Sequence, residues 1–150
     1  QVGQLDDVLL AFPDLKIIAY HAGWPQSEEL IGLCGKHRNL YMSLSGIIGW
    51  YQRAPYRGYH AIGTALQWMP ADKIVLGFDL PFDDLGRVVD YIVNLDMPAE
   101  LQEKWGYQQV TEEDKAKILG LNLAKLTGIE PVKRKQGGYK TPAPAAGHGH

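Results

Sequence analysis

Residues 15–37 read LKIIAYHAGWPQSEELIGLCGKH. The first six are apolar nearly throughout and rich in isoleucine, which reads as a buried strand. A single histidine, His21, follows at once, and then a small-residue turn ending in Pro25. SEELIGLCGKH is a helix: Ser27 suits the N-cap, Glu28 and Glu29 the first turn, Lys36 and His37 the last. Leu30, Leu33 and Cys34 form its inward stripe. A near-continuously apolar strand followed by an amphipathic helix is the unit of a parallel α/β sheet.

The unit repeats along the chain. LYMSL (40–44) is a second strand, and KIVLGF (73–78) a third. Between them, SGIIGWYQRAPYRG (45–58) reads as a loop rich in glycine and aromatics, and YHAIGTALQWM (59–69) as a helix. DLGRVVDYIVNL (84–95) is a further helix, with Leu85, Val88, Val89, Ile92 and Leu95 inward. Upstream, Leu5, Val8, Leu9 and Phe12 fall at helical spacing, and Pro13 stops that helix. Downstream, Pro98 opens a short helical piece ending near Gly106. Thr111 and Asp114 make a capping-box pattern for a last helix that Gly128 ends, with Ile118, Leu119, Leu123 and Leu126 as its stripe. Residues 131–150 are rich in Lys, Gly, Pro and Ala and read as a disordered tail. The expectation is a doubly covered parallel sheet over residues 1–130 with right-handed crossovers. Three strands leave both edges open, and a closed eight-stranded β/α barrel takes about 250 residues.

Bulk composition narrows the function. The chain has 150 residues, 45% of them hydrophobic, and a net charge of −2. That size suits one domain, and that charge gives no basic footprint for nucleic acid and no electrostatic membrane anchor. No apolar run approaches a bilayer span, and QVGQLDDVLL, with no basic region ahead of an apolar stretch, does not read as a signal peptide. The single cysteine, Cys34, excludes an intrachain disulfide and suits a reducing, cytoplasmic setting.

In parallel α/β folds the loops at the carboxyl ends of the strands converge, and function gathers there. That rule selects His21 after the first strand, Ser45 after the second and Asp79 after the third. Imidazole is a metal ligand and general base near neutral pH, and a carboxylate supplies a hard oxygen donor or a proton acceptor. Each has a plainer reading. A strand-end histidine serves equally to hydrogen-bond a carbonyl, FDLPF (78–82) equally forms a turn with Asp79 capping backbone amides, and Ser45 is more often a turn residue. Trp50, Tyr51 and Tyr56 either wall a pocket for a planar substrate or pack their loop. His37 and His60 read as solvated helix residues, and His148 and His150 as tail without a role. Asn122 interrupts an apolar stripe and reads as a buried structural hydrogen bond.

Four segments in order and spacing, FPDLKIIAYHAGWP, NLYMSLSG, DKIVLGFDLPF and KILGLNLAKLTGI, resemble the C-terminal part of the amidohydrolase-related family. This is the amidohydrolase branch containing the aminocarboxymuconate-semialdehyde decarboxylase-like enzymes. The resemblance runs from about residue 5 to 129. It implies that the three strands are strands six to eight of a (β/α)8 TIM barrel. It implies that His21 is the strand-six histidine beside the metal, acting in proton transfer or substrate activation. It implies that Asp79 is the strand-eight aspartate that binds the metal, and that Asn122 is structural. The implied cofactor is a divalent ion, zinc first. The implied chemistry is hydrolysis, or decarboxylation of a planar carboxylic acid without oxidation, on a small-molecule substrate; separately, the helices after residue 98 offer an interface for a homo-oligomer.

Departures matter as much. No H-x-H precedes His21, the strand-five histidine is missing, and Trp24 stands where the family has a second glycine. A catalytic zinc keeps three protein ligands and an open position, and this chain offers one good ligand and one neighbour. Together with a sequence that opens at Gln1, this leads to an expected reading as the C-terminal piece of a longer enzyme, inactive alone. A non-catalytic binding scaffold and one half of a split barrel are the alternatives.

Overall fold

The computed structural model describes residues 2–132. The expected tail falls outside these, apart from Pro131 and Val132, and so does the H-x-H at His148–His150. Strands β1 (Ile17–Ala19), β2 (Leu40–Ser43) and β3 (Ile74–Val75) form one parallel sheet in the order β1-β2-β3. Ile17 pairs with Leu40, Ala19 with Met42, and Met42 with Ile74. The helices are α1 (Leu5–Ala11), α2 (Ser27–Lys36), α3 (Ile48–Arg53), α4 (Pro55–Trp68), α5 (Leu85–Val93), α6 (Ala99–Trp105), α7 (Glu112–Ala116) and α8 (Asn122–Thr127). A π-helical segment, Lys117–Leu121, joins the last two. Among the described residues, no helix is long and apolar enough to cross a membrane.

Leu30, Leu40, Met42, Ile62, Ile74 and Ile92 are fully buried in one continuous core. Each such side chain contributes about 1.5–3 kcal/mol by leaving water. Cys34 lies in this core, where burial pushes its thiol up to about 12, so it is a packing residue and not a nucleophile.

Several sequence expectations change for identifiable reasons. The first strand is half-buried rather than buried, because β1 is an edge with no neighbour on its outer side. Ile18 and Tyr41, paired across β1 and β2, are half-buried as well. The third strand shrinks to two residues: the Leu76 amide leaves the ladder and donates to Ile118 O (2.9 Å), a carbonyl the wide π turn leaves free. The loop at 45–58 is mostly helix. Ile47, Ile48 and Tyr51 bury one side of α3, and Pro55 occupies the first turn of α4, where its missing N–H is harmless. Gln26, not Ser27, precedes α2, and neither residue caps it through its side chain. Leu85 is exposed at the start of α5, while Val88, Ile92 and Leu95 are buried. The π turn also shifts the phase of the last helix, so Asn122 points inward and Leu123 outward. The Thr111–Asp114 capping box is present with both reciprocal bonds.

His37 and His60 are tied into the fold rather than free: half-buried His60 places Nδ1 2.8 Å from the Tyr107 hydroxyl. His37 is buried, and its Nε2 lies 2.5 Å from Asp6 Oδ1. Lys36 Nζ donates to both oxygens of the same carboxylate, at 2.7 and 2.9 Å. First Lys36 and then His37 hold the Asp6 carboxyl below the usual carboxylate range. This ties α1 to the end of α2. A depressed folded-state value contributes stability above the unfolded value, near 4, that is lost as pH falls through the folded one. Asp6→Asn is therefore expected to lower Tm at neutral pH, with the gap from the unmodified protein closing as pH drops below about 4. Thermal scans down to about pH 2 check this. A gap that keeps its full size there contradicts it.

Candidate functional site

The chain leaves β1 through Tyr20 into a turn of three successive positive-φ residues: His21 (56°), Ala22 (47°) and Gly23 (71°). For the two non-glycines this conformation costs on the order of 1–2 kcal/mol each. The surroundings enforce it. Ala22 is fully buried, and Gly23 lies so close to α2 that a Cβ there would stand 2.8 Å from Leu30 Cβ. Gly23 N donates to Tyr20 O (3.0 Å) and Trp24 N to His21 O (2.9 Å). The strained turn holds His21 at the sheet's carboxyl rim.

There His21 meets the end of β2. Its backbone N donates to Ser45 Oγ (3.3 Å), and its Nδ1 lies 2.8 Å from Ser45 O. A carbonyl oxygen only accepts, so Nδ1 carries the hydrogen, and in the neutral ring Nε2 keeps its lone pair. Ser45 is itself 1% exposed. It orients His21 rather than lining a pocket.

Gly46 follows, with φ +71°. A Cβ at this position would stand 2.8 Å from His21 Nδ1 and 3.1 Å from Asp79 Oδ2. Two polar side chains from different strand ends thus crowd the one point a side chain at 46 would fill. Glycine is required here both by the left-handed backbone and by this convergence. Asp79 is partly buried, and its carboxylate makes no hydrogen bond or ion pair with the described residues. Its backbone N donates instead to Asp83 Oδ2 at 2.6 Å, and the same oxygen accepts from Gly46 N at 3.2 Å. Close approach recurs one step deeper, where a Cβ on Gly77 would meet Ser43 Oγ at 2.6 Å and Ser45 Cβ at 3.0 Å.

His21, Ser45 and Asp79, selected from three strand ends, do come together. Gly46, Asp83 and Ser43 were not selected. Asp83 left only the weak signal of an acid four residues after Asp79, and its contact with Gly46 spans 37 residues. The aromatic residues separate. Trp24 and Trp50 are exposed and meet edge-to-face at 5.4 Å, with the Arg57 guanidinium 5.4 Å from the centre of the Trp24 ring. Tyr51 is 6% exposed, packed near Tyr91, and burial pushes its phenol upward. A groove of about 710 Å³ runs past Trp24, Arg57, His60, Trp105 and Tyr107, and neither His21 nor Asp79 lines it.

The family model described as amidohydrolase matches residues 1–129. The chain belongs to the amidohydrolase family. No match was found among curated proteins or among solved structures. An amidohydrolase domain implies a TIM-barrel parent, and the parallel α/β sheet of this chain is of that class.

Amidohydrolases typically use divalent metals. The carboxylate of Asp79, which has no hydrogen-bond partner among the described residues, suits one oxygen position of such a shell. The shell does not close within this chain. Among the described residues, no group of three or more His, Cys, Asp or Glu is placed to hold an ion. Below the amidohydrolase rim, Asn122 is 5% exposed and donates from Nδ2 to Ala71 O (2.7 Å) and Ile74 O (2.8 Å). It fastens α8 to the start of β3, the strand that leads to Asp79.

Proposed function

We propose that this amidohydrolase chain supplies one arc of the active-site rim of a metal-dependent hydrolase or non-oxidative decarboxylase. In this reading β1, β2 and β3 are strands six to eight of the parent barrel. The observation that carries it is the convergence of His21 and Asp79 on Gly46, with His21 locked in the tautomer that leaves Nε2 free.

His21 takes or returns a proton at Nε2, and the Ser45 carbonyl stabilises the positive ring that results. Asp79 offers a carboxylate unencumbered by protein hydrogen bonds, so its oxygens are available to a divalent ion or to a substrate proton. A bound divalent ion supplies charge stabilisation for an oxygen of the reacting group. Zinc is the first choice for a mixed imidazole and carboxylate shell. The remaining ligands come from polypeptide other than these residues, and the 150-residue chain by itself is inactive. Trp24 and Trp50 stand beside the rim as apolar walls suited to a planar acid.

Turnover by the metal-loaded holoenzyme tests this reading. Esters, lactones and amides probe hydrolysis, and planar aromatic acids probe carbon dioxide release. One of the two classes is expected to be consumed, and chelation is expected to abolish that reaction. Consumption of neither class, or turnover indifferent to chelator, counts against it.

A further inference from the structure

We propose that Asp83 is a positioning residue of this rim, setting the proton on His21 through the Ser45–Gly46 peptide. The proposal deepens the functional reading above and rests on it only for the importance of His21. Asp83 Oδ2 accepts from Gly46 N at 3.2 Å and from Asp79 N at 2.6 Å. The carbonyl of the same peptide unit, Ser45 O, accepts from His21 Nδ1 at 2.8 Å. One rigid plane is therefore gripped at both ends, by a carboxylate on its N–H and by an imidazole on its C=O. An anion on the N–H polarises the peptide and makes the carbonyl a stronger acceptor. The same oxygen fixes the backbone of Asp79, so a single side chain sets the spacing between the two rim groups.

Capping of the next helix does not explain Asp83. Asp84 performs that task, accepting from Arg87 N at 3.1 Å. Asp83 is partly buried and turns back toward the strand ends, to a partner 37 residues away. The strain at His21 and the missing Cβ at Gly46 give the arrangement its purpose: both hold the imidazole against that peptide.

The test is a long-range proton–nitrogen NMR spectrum of the full 150-residue chain, recorded at a pH where His21 is neutral. Free neutral histidine favours hydrogen on Nε2, so hydrogen on Nδ1 is diagnostic. The unmodified protein is expected to show His21 as the Nδ1–H form. In Asp83→Ala that form should give way to Nε2–H, and the Gly46 and Asp79 amides should exchange at least roughly tenfold faster. Asp83→Asn keeps an acceptor oxygen and should restore the Nδ1–H form. The His37 ring, held by Asp6, serves as an internal check of folding. An unchanged His21 tautomer in a folded alanine variant overturns the proposal. Should the alanine variant fail to fold, the asparagine variant carries the test: its weakened acceptor should speed exchange at Gly46 and Asp79, and unchanged exchange overturns the proposal. Neither readout needs turnover. A holoenzyme indifferent to loss of His21 would count against the functional reading and leave the Asp83 result standing.

Discussion

His21→Asn in the metal-loaded holoenzyme is expected to lower kcat by about 10²- to 10⁴-fold with metal content unchanged. The asparagine amide nitrogen can take the place of Nδ1 and keep the bond to Ser45 O, so the strained turn has no reason to collapse. What disappears is Nε2, the only ring atom free to exchange a proton. Asp79→Asn should behave differently. It keeps the size of the side chain and the backbone bond to Asp83, but removes the negative charge at the rim. Metal content and turnover should then fall together. Steady-state kinetics with metal analysis on the same samples separates the two patterns. Full activity in either variant would remove the role assigned to that residue.

Asn122→Ala is expected to have the largest effect on stability. The amide nitrogen of Asn122 satisfies two buried carbonyls, Ala71 O and Ile74 O, across a sequence separation of about fifty residues. Alanine leaves Ile74 O without its side-chain donor, leaves Ala71 O with only the Ile74 N–H, and opens a small void. Leaving a buried acceptor unpaired costs about 1–3 kcal/mol, and with the lost second bond and the void the total amounts to about 2–4 kcal/mol. For a domain of this size that is a fall of roughly 10 °C in Tm. Asn122→Asp should be no better, since a carboxylate cannot donate. Thermal and urea unfolding measure both variants, and a shift of less than about 2 °C in Asn122→Ala would contradict the structural role.

Legibility of this sequence depends on range. The strands were visible because short, mostly apolar runs stop at histidine, serine or aspartate, and the strand-end rule then placed His21, Ser45 and Asp79 on one rim. The capping box at Thr111 was visible because it closes within four residues. Failures begin where a distant partner decides. His37 looked solvated because its partner Asp6 is 31 positions away, and His60 because Tyr107 is 47 away. Helix α3 was hidden by its glycines and aromatics, although Ile47, Ile48 and Tyr51 bury one side of it. Asp83 looked like one acid among two until the fold brought Gly46 to it. Gly46 itself gave no sign that its missing side chain makes room for two others.

Whether His21 and Asp79 serve a single reacting centre is tested most directly by a double-mutant cycle on kcat/KM in the holoenzyme. The variants are His21→Asn, Asp79→Asn and the pair. Groups that act as a unit lose their shared contribution once, so effects of such groups are far from additive. The result expected is a double variant no worse than roughly tenfold below the poorer single one. Losses that multiply in full would mean that the two groups act independently, and would contradict a shared centre at Gly46.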